Sequence, residues 1–407
     1  MTAIRQNDTA DELRDALTDR LHTENVIRSA SVEAAIRRTP RHLFIPDVEL
    51  DQAYADNPVH TKTDAAGASI SAASQPRIVA MMLEQLDARP GERILEIGAG
   101  TGYNAALIAA MVGDAGHVTT IDVDADLVDG ARRHLTAAGV GNVDVVLGDG
   151  ALGHPGAAPY DMIIATVGAW ETPTAWLEQL VPDGRLVVPL RLRGAASRSI
   201  VFERHSGGWR SQGSELAVFM PLRIGDDARR TVTLTPEQDV ILQVHKEQAA
   251  DQALAGVLDT DRTKIWTQVH FPAMVPYEWM DLWLACTLDN ALMRMNVQPS
   301  AADRGQVDPM FPWGSMATAR DRDLAYLTVR PAPPAPDGGK LYEVGVIGHG
   351  PTGAALAQEV AEQVRTWDAE HRARRVRFEI SDTPAADPTA GRFVLARPHH
   401  PITVIWK

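Results

Sequence analysis

Apolar residues fall into two rhythms along the chain. Over the first sixty residues they recur at helical spacing: Leu13, Leu17 and Leu21 stand four apart, one stripe of an amphipathic helix. Ser31 is placed to cap a second helix through "VEAAIRR". "TPRHLFIPDVELDQAYADNPV" follows as a proline-punctuated connection in which Leu43, Phe44 and Ile45 read as buried. From 93 to 190 the rhythm alternates. Short apolar runs, "RILEIG", "VTTID", "VDVVLGD", "MIIATVG" and "RLVVPL", are separated at first by the helical stretches "YNAALIAAMV" and "ADLVDGARRHLTAAG". That alternation predicts βαβ units and a parallel sheet covered by helices. "RSIVFERHSGGWRSQGSELAVFMPLR" reads as a hairpin turning at its glycines.

After about residue 228 the texture changes. "TVTLTPEQDVILQVH" predicts strands, "YEWMDLWLACTLDNALMRM" a helix, and "PAPPAPDGG" a proline-rich loop. "LYEVGVIGHGPTGAALAQEVAEQVRTWDAEH" reads as strand then long helix, with "VRFEI" and "ITVIW" as further strands. A chain of 407 residues exceeds what one core usually organises. The reading is therefore a first domain over 1–228, helical over 1–66, and a separate α+β domain over 229–407.

Composition narrows the partners. A net charge of −14 excludes bulk binding to phosphate backbones, so a peptide or small molecule is expected rather than nucleic acid. No apolar run is long enough to span a membrane, and the polar start lacks a signal core. The single cysteine, Cys286, excludes an internal disulfide, fits a reducing cytoplasm, and sits among apolar neighbours as a core residue.

Candidate chemistry gathers at the strand ends. Glu96-Ile97-Gly98-Ala99-Gly100-Thr101-Gly102 closes one strand and opens a helix. Its glycines let the backbone turn tightly and approach a ligand. Tyr103 stands where a dinucleotide loop wants a third glycine, and the acidic Glu96 suits a cationic amino-acid cofactor, S-adenosylmethionine. Asp122, with Val123 beside it, ends the next strand, where a carboxylate accepts the hydroxyls of a ribose. Asp149-Gly150 ends the third, placed to meet the adenine amine and clear space for the ring. The fold class is thus α/β, a Rossmann-like S-adenosylmethionine-dependent methyltransferase core with a C-terminal α+β domain.

Just upstream, "GASISAASQPRIVAMMLEQL" passes from small residues to a helix whose first turn takes Pro76, capped by Ser74 or Gln75. Ser71 and Ser74 are left in the preceding loop, beside the glycine loop. Ser71, Ser74 and Thr166-Val167-Gly168 are the candidates to position a substrate group. Trp170 and Trp176 flank this region and either line a peptide groove or pack. His399-His400 reads as a loop rather than a metal site, and "GVIGHGPTG" as a strand–helix turn without the phosphate-loop lysine.

"TPRHLFIP", "AYADNPV", "SQPRIVAMMLEQL", "ILEIGAGTGYNAALIA" and "IIATVGAWETPTAWLEQLVPDGRLVVPL" together resemble the protein-L-isoaspartate O-methyltransferase family over roughly residues 30–225. That family carries Thr-Ile-Ser-Gln/Ala-Pro ahead of its glycine loop, its serine touching the substrate carboxylate. Ser74-Gln75-Pro76 matches the end of that motif, while Ala72-Ala73 replaces Thr-Ile. "TKTDAAG", "TVGAWETP" and "AYLTVRP" with the following "VIGHGPTGAALAQEVAEQVRTWD" resemble the FxLD-system group of that family, found with lanthipeptide biosynthesis. The resemblance implies methylation of an aspartate in a modified precursor peptide, and an ester that collapses to a succinimide and then isoaspartate. The alternatives are repair methylation of isoaspartate in damaged proteins and a cofactor-binding scaffold without turnover. The added C-terminal mass suggests peptide recognition, with Trp266, Trp279, Trp283 and Trp313 as anchors.

Overall fold

The computed structural model describes residues 2–63, 69–220, 222, 229–381 and 391–407, with side chains from residue 9 onward. The expected boundary at 228 falls at the edge of 223–228, outside the described residues, as does most of "TKTDAAG".

The alternating rhythm becomes five parallel strands, Arg93–Ile97, His117–Asp122, Val143–Leu147, Tyr160–Ala165 and Leu180–Arg193. The chain starts at Arg93–Ile97, builds outward to Val143–Leu147, then returns to the other side with Tyr160–Ala165. The order reverses between Arg93–Ile97 and Tyr160–Ala165, which is where open α/β sheets form a crevice beyond the strand ends. Gly98 marks that point: at φ +103, a Cβ there would stand 2.7 Å from Thr166 Oγ1 and 2.9 Å from Val167 Cγ1.

Helix Tyr103–Val112 is buried on nearly every side, and the amphipathic helices Pro76–Leu86 and Ala125–Ala137 each bury one face. They share an apolar cluster with helices Thr2–Thr23 and Ala30–Arg38. Ser29, not Ser31, caps Ala30–Arg38, because its own hydroxyl reaches Val32 N–H while Glu84 accepts from Ser29 N–H. Neither Ser74 nor Gln75 caps Pro76–Leu86. Asp56, twenty residues upstream, accepts from Arg77 N–H at 2.9 Å, and Gln75 instead donates to Asp56 O.

The hairpin is Ala196–His205 with Gly208–Leu216, turning at Ser206-Gly207. Beyond it the sheet continues with strands from the far end of the chain. Val376–Ser381 pairs with Gly208–Leu216, Ile402–Trp406 pairs with Val376–Ser381, and Arg392–Leu395 forms the edge of a ten-stranded sheet. Residues 229–407 therefore contribute to two sheets. Their own is seven-stranded and antiparallel, carrying helix Gly353–Thr366 against strands Arg262–Pro272 and Leu341–His349. The "GVIGHGPTG" stretch is the turn into that helix, tied by Thr352 N–H to Asp323.

The helix expected over "YEWMDLWLACTLDNALMRM" is Glu278–Thr287 only. Leu288 leaves it in an extended conformation, and Met293–Val297 is a strand of the seven-stranded sheet. Helix Glu278–Thr287 packs between strands Leu180–Arg193 and Ala196–His205 and helix Gly353–Thr366, inside one apolar cluster that runs through both sheets. Cys286 is buried there, its thiol pushed up to about 12 by desolvation. The tip at Arg193–Ala196 docks on this region through Arg193 to Cys286 O (3.0 Å) and Ala195 N–H to Leu292 O (2.8 Å). That tip lies past the carboxyl end of a parallel strand, so the seven-stranded sheet stands at the crevice end of the core. Among the described residues, no helix is long and apolar enough to cross a membrane.

Candidate active site

A cavity of about 400 Å³ opens at the crevice. It gathers Ser71, Ser74, Gln75, Gly98, Gly100, Thr101, Asp122, Val123, Asp149, Gly150, Thr166 and Val167 from the sequence-predicted set. Glu96, Gly102 and Gly168 are not in its lining. Gly102 instead packs the helix start on Ala131, 3.3 Å from where its Cβ would be.

Asp122 shapes the glycine loop. Its Oδ2 accepts from Gly100 N–H at 3.0 Å and its Oδ1 from Asp124 N–H at 3.2 Å. Gly100 has φ +50, and nothing lies within 4 Å of where its Cβ would be, so the loop is open on the cavity side. Asp149 caps the short 3-10 helix Gly150–Leu152 through Ala151 N–H while lining the cavity. Gly150 also makes room for a core side chain, since a Cβ there would meet Ile97 Cγ2 at 2.6 Å.

Glu96 needs correction. It is fully buried, its Oε1 accepting from Asn104 Nδ2 at 2.7 Å and its Oε2 from the Thr120 hydroxyl at 2.5 Å. Asn104, which holds Glu96, lines the cavity, whereas Glu96 does not. Burial pushes the Glu96 carboxyl up from an ordinary 4.5 to about 7, against the pull of the two donors. The folded chain thus holds this proton more tightly than the unfolded one. Its contribution to stability, about 3 kcal/mol, is complete below pH 4.5 and lost as pH rises through about 7. Glu96→Gln is expected to flatten the fall in stability between those limits, read by urea unfolding from pH 4.5 to 8. A variant with the wild-type slope would contradict the assignment.

Of the two serines expected in a loop, Ser74 is in one but Ser71 is in a strand. Ser69–Ala73 is a strand paired antiparallel with Val59–Thr63. Ser71 is buried and accepts from the Thr61 hydroxyl at 3.0 Å, whereas the Ser74 hydroxyl takes no partner among the described residues. The ribbon is tied across the site by Lys62, which reaches Asp126 (2.7 Å) and Asp124 (3.2 Å). From beneath, buried Arg41 donates to Ala53 O, Ala73 O and Ser74 O, its guanidinium 5.0 Å from the Tyr103 ring centroid. Sequence reasoning missed Arg41 and Asn104, because neither stands in a pattern that separates it from a surface polar residue. His60 was missed too; it lines the cavity with Nδ1 2.7 Å from Ser69 Oγ.

Two proposed aligners are otherwise engaged. The Thr166 hydroxyl donates back to Gly98 O (2.8 Å) or Ile97 O (3.1 Å), and Gly168 N–H donates to Met220 O at 2.7 Å. Neither hydrogen is aimed at a ligand. Trp176 packs rather than lines: it is fully buried and its Nε1–H donates to Gly150 O at 2.8 Å. Trp170 lies between Arg191 and Arg397, 4.0 and 3.5 Å from its ring centroid. His399 and His400 are loop ties, contacting Glu171 and Thr174.

The family model described as Protein-L-isoaspartate(D-aspartate) O-methyltransferase matches residues 12–226. The chain belongs to that family. It is an S-adenosylmethionine-dependent carboxyl O-methyltransferase. A protein-L-isoaspartate O-methyltransferase of Methanopyrus kandleri is 40% identical over 215 residues, 53% of this chain and 92% of the relative. Protein-L-isoaspartate O-methyltransferase 2 of Archaeoglobus fulgidus is 41% identical over 214 residues, 52% of this chain and 94% of the relative. A solved protein-L-isoaspartate O-methyltransferase aligns over 90% of this chain and 96% of its own, at 22% identity and a TM-score of 0.48.

Proposed function

We propose that this family member methylates an aspartate side-chain carboxylate in a ribosomally made, lanthipeptide-type precursor peptide, and that the ester then closes to a succinimide and opens to isoaspartate. The observation that carries a carboxylate acceptor is the pairing of a serine-lined ribbon with the glycine loop across one cavity.

S-adenosylmethionine supplies the methyl group. Asp122 would accept from its ribose hydroxyls, Asp149 would accept from its adenine amine, and the Gly98–Gly100 backbone would lie against it. The open Cβ position at Gly100 and the apolar walls Ile97, Ile121 and Leu127 suit a flat ring. The acceptor carboxylate arrives ionised, so what the chain contributes is alignment of oxygen with the methyl at about 3–3.5 Å. Ser74 has a hydroxyl to donate, whereas Ser71 already accepts from the Thr61 hydroxyl. Lys62, the cation on the ribbon, is occupied by Asp124 and Asp126 and does not quench the nucleophile. Succinimide closure is intramolecular in the peptide, with methanol as the leaving group.

What favours the precursor-peptide reading is the chain beyond residue 226, where the family match ends, because it builds an additional surface at the crevice end. The second reading is methylation of isoaspartate in damaged proteins. It draws on the identity to the archaeal enzymes over nearly their whole length. Offering aspartyl and isoaspartyl versions of one peptide with labelled cofactor separates the two. Methyl transfer to the isoaspartyl form alone would retire the first reading.

Ser74→Ala is expected to lower kcat about ten- to a hundredfold with little change in cofactor affinity, since the lost donor orients only the acceptor. Undiminished turnover, with Ser71→Ala the damaging change, would move the role to Ser71.

A further inference from the structure

None of the four tryptophans expected as peptide anchors lines the cavity; Trp283 is buried against His371, and Trp266 lies between Arg330 and Gly345. The acceptor group itself is therefore held by the cavity wall. Most donors of that wall are already committed. Gln75 donates to Asp56 O, Asn104 to Glu96 and the Thr166 hydroxyl to Gly98 O. Two lining residues, Asp122 and Asp149, are carboxylates, which repel an anionic acceptor. Lys62 is held by Asp124 and Asp126 and does not line the cavity. A carboxylate entering this space has two oxygens to satisfy, and Ser74 serves one.

Among the described residues, His60 is the only imidazole in the wall. It stands on strand Val59–Thr63 opposite Ala72, so the two side chains share one face of the ribbon. Ala72 also lines the cavity, and the imidazole itself is exposed. Its Nδ1 lies 2.7 Å from Ser69 Oγ. That hydroxyl has two other acceptors in reach, Ser71 O at 3.4 Å and Met220 Sδ at 4.0 Å, both long. Its hydrogen therefore goes to Nδ1. A neutral imidazole carries one hydrogen, which is then left on Nε2. Nε2 takes no partner among the described residues, so the ring keeps a free donor that Ser69 holds in place.

We propose that His60 is a second acceptor-binding residue, its Nε2–H donating to the carboxylate oxygen that is not methylated while Ser74 aligns the other. The inference rests on a carboxylate acceptor, which the aspartyl and isoaspartyl readings share. The attacking oxygen forms its bond to the methyl carbon as the carbon–sulfur bond breaks. The opposite charges of carboxylate and sulfonium cancel into a neutral ester and a neutral thioether, and no proton moves. His60 thus keeps its hydrogen throughout, and what it contributes is alignment.

The test compares His60→Ala, His60→Asn and His60→Gln in the full chain. A glutamine amide nitrogen falls near the place of Nε2 and an asparagine one near that of Nδ1. The pair therefore separates a donor for the acceptor from a mere partner for Ser69. The substrate is the aspartyl or isoaspartyl form of one peptide, whichever wild type methylates. His60→Ala and His60→Asn are expected to lower kcat/KM about tenfold or more. His60→Gln should stay within about threefold of wild type, and cofactor affinity within about twofold in all three. Rescue by asparagine and not by glutamine would overturn the proposal, as would wild-type rates in the alanine variant. Nitrogen NMR at about pH 8, where an ordinary imidazole is neutral, reads the ring without methyl transfer, with His60 assigned by its loss in His60→Gln. Hydrogen on Nε2 is expected; hydrogen on Nδ1 would overturn the proposal whichever peptide is methylated. A chain that methylates neither form would overturn the proposed function, and the NMR result alone would then decide the donor.

Discussion

Replacing Asp122 with alanine is expected to weaken S-adenosylmethionine binding by about ten- to a hundredfold in a chain that still folds. The residue sits at the end of a central strand with one carboxylate oxygen on Gly100 N–H and the other on Asp124 N–H. Alanine removes the acceptor proposed for the ribose and the anchor of the glycine loop together. Hydrogen bonds to a charged acceptor contribute about 1.5–3 kcal/mol, which sets the range. The fold should survive because the side chain is partly exposed and the strand's own ladder remains intact. Asp122→Asn keeps the shape but turns an amide donor toward one of the two N–H groups, so it should fall between wild type and alanine. Calorimetry reads affinity, and thermal unfolding checks the fold. An Asp122→Ala chain that is folded and binds the cofactor as wild type does would remove Asp122 from the site.

The same strand ends explain what the sequence made legible. The short apolar runs at 93–97, 117–122 and 160–165, several rich in β-branched residues, read as strands, and the glycine cluster after the first reads as a tight turn into a helix. Local pattern was enough there, and it placed Gly98, Gly100, Asp122 and Asp149 in one crevice. The pairing of Ser69–Ala73 with Val59–Thr63 was not legible. Val59–Thr63 reads "VHTKT", with no apolar alternation, because this ribbon covers a cavity instead of burying a face. Nor was the path of Val376–Ser381 and Ile402–Trp406. Their apolar content shows that they are strands but not which sheet takes them, and pairing with Gly208–Leu216 across the chain leaves no local mark. Hydroxyl direction is invisible in the same way. Thr166 and Ser74 are both small hydroxyl residues beside the cavity, yet one donates into the main chain and the other remains available.

The second large effect concerns Trp176, which joins the stability of the core to the geometry of the crevice. Its indole is fully buried on the short helix Thr174–Glu178, in the cluster with Ile97, Ile163 and Leu186, and its Nε1–H closes on Gly150 O at 2.8 Å. Truncation to alanine leaves a void the size of an indole and an orphaned carbonyl, at a cost of about 3–5 kcal/mol. Trp176→Phe separates the two terms: most of the apolar contact survives, but Gly150 O loses its donor, which costs about 1–3 kcal/mol. Gly150 follows Asp149 directly and is wedged against Ile97, so a shift of that carbonyl moves the Asp149 carboxylate as well. Both variants are therefore expected to lose cofactor affinity along with stability, the phenylalanine variant a few-fold and the alanine variant more. Thermal unfolding and calorimetry on the same preparations decide it. A phenylalanine variant that matches wild type in both would show that the Trp176–Gly150 hydrogen bond holds nothing in place, and that packing alone fixes the third strand end.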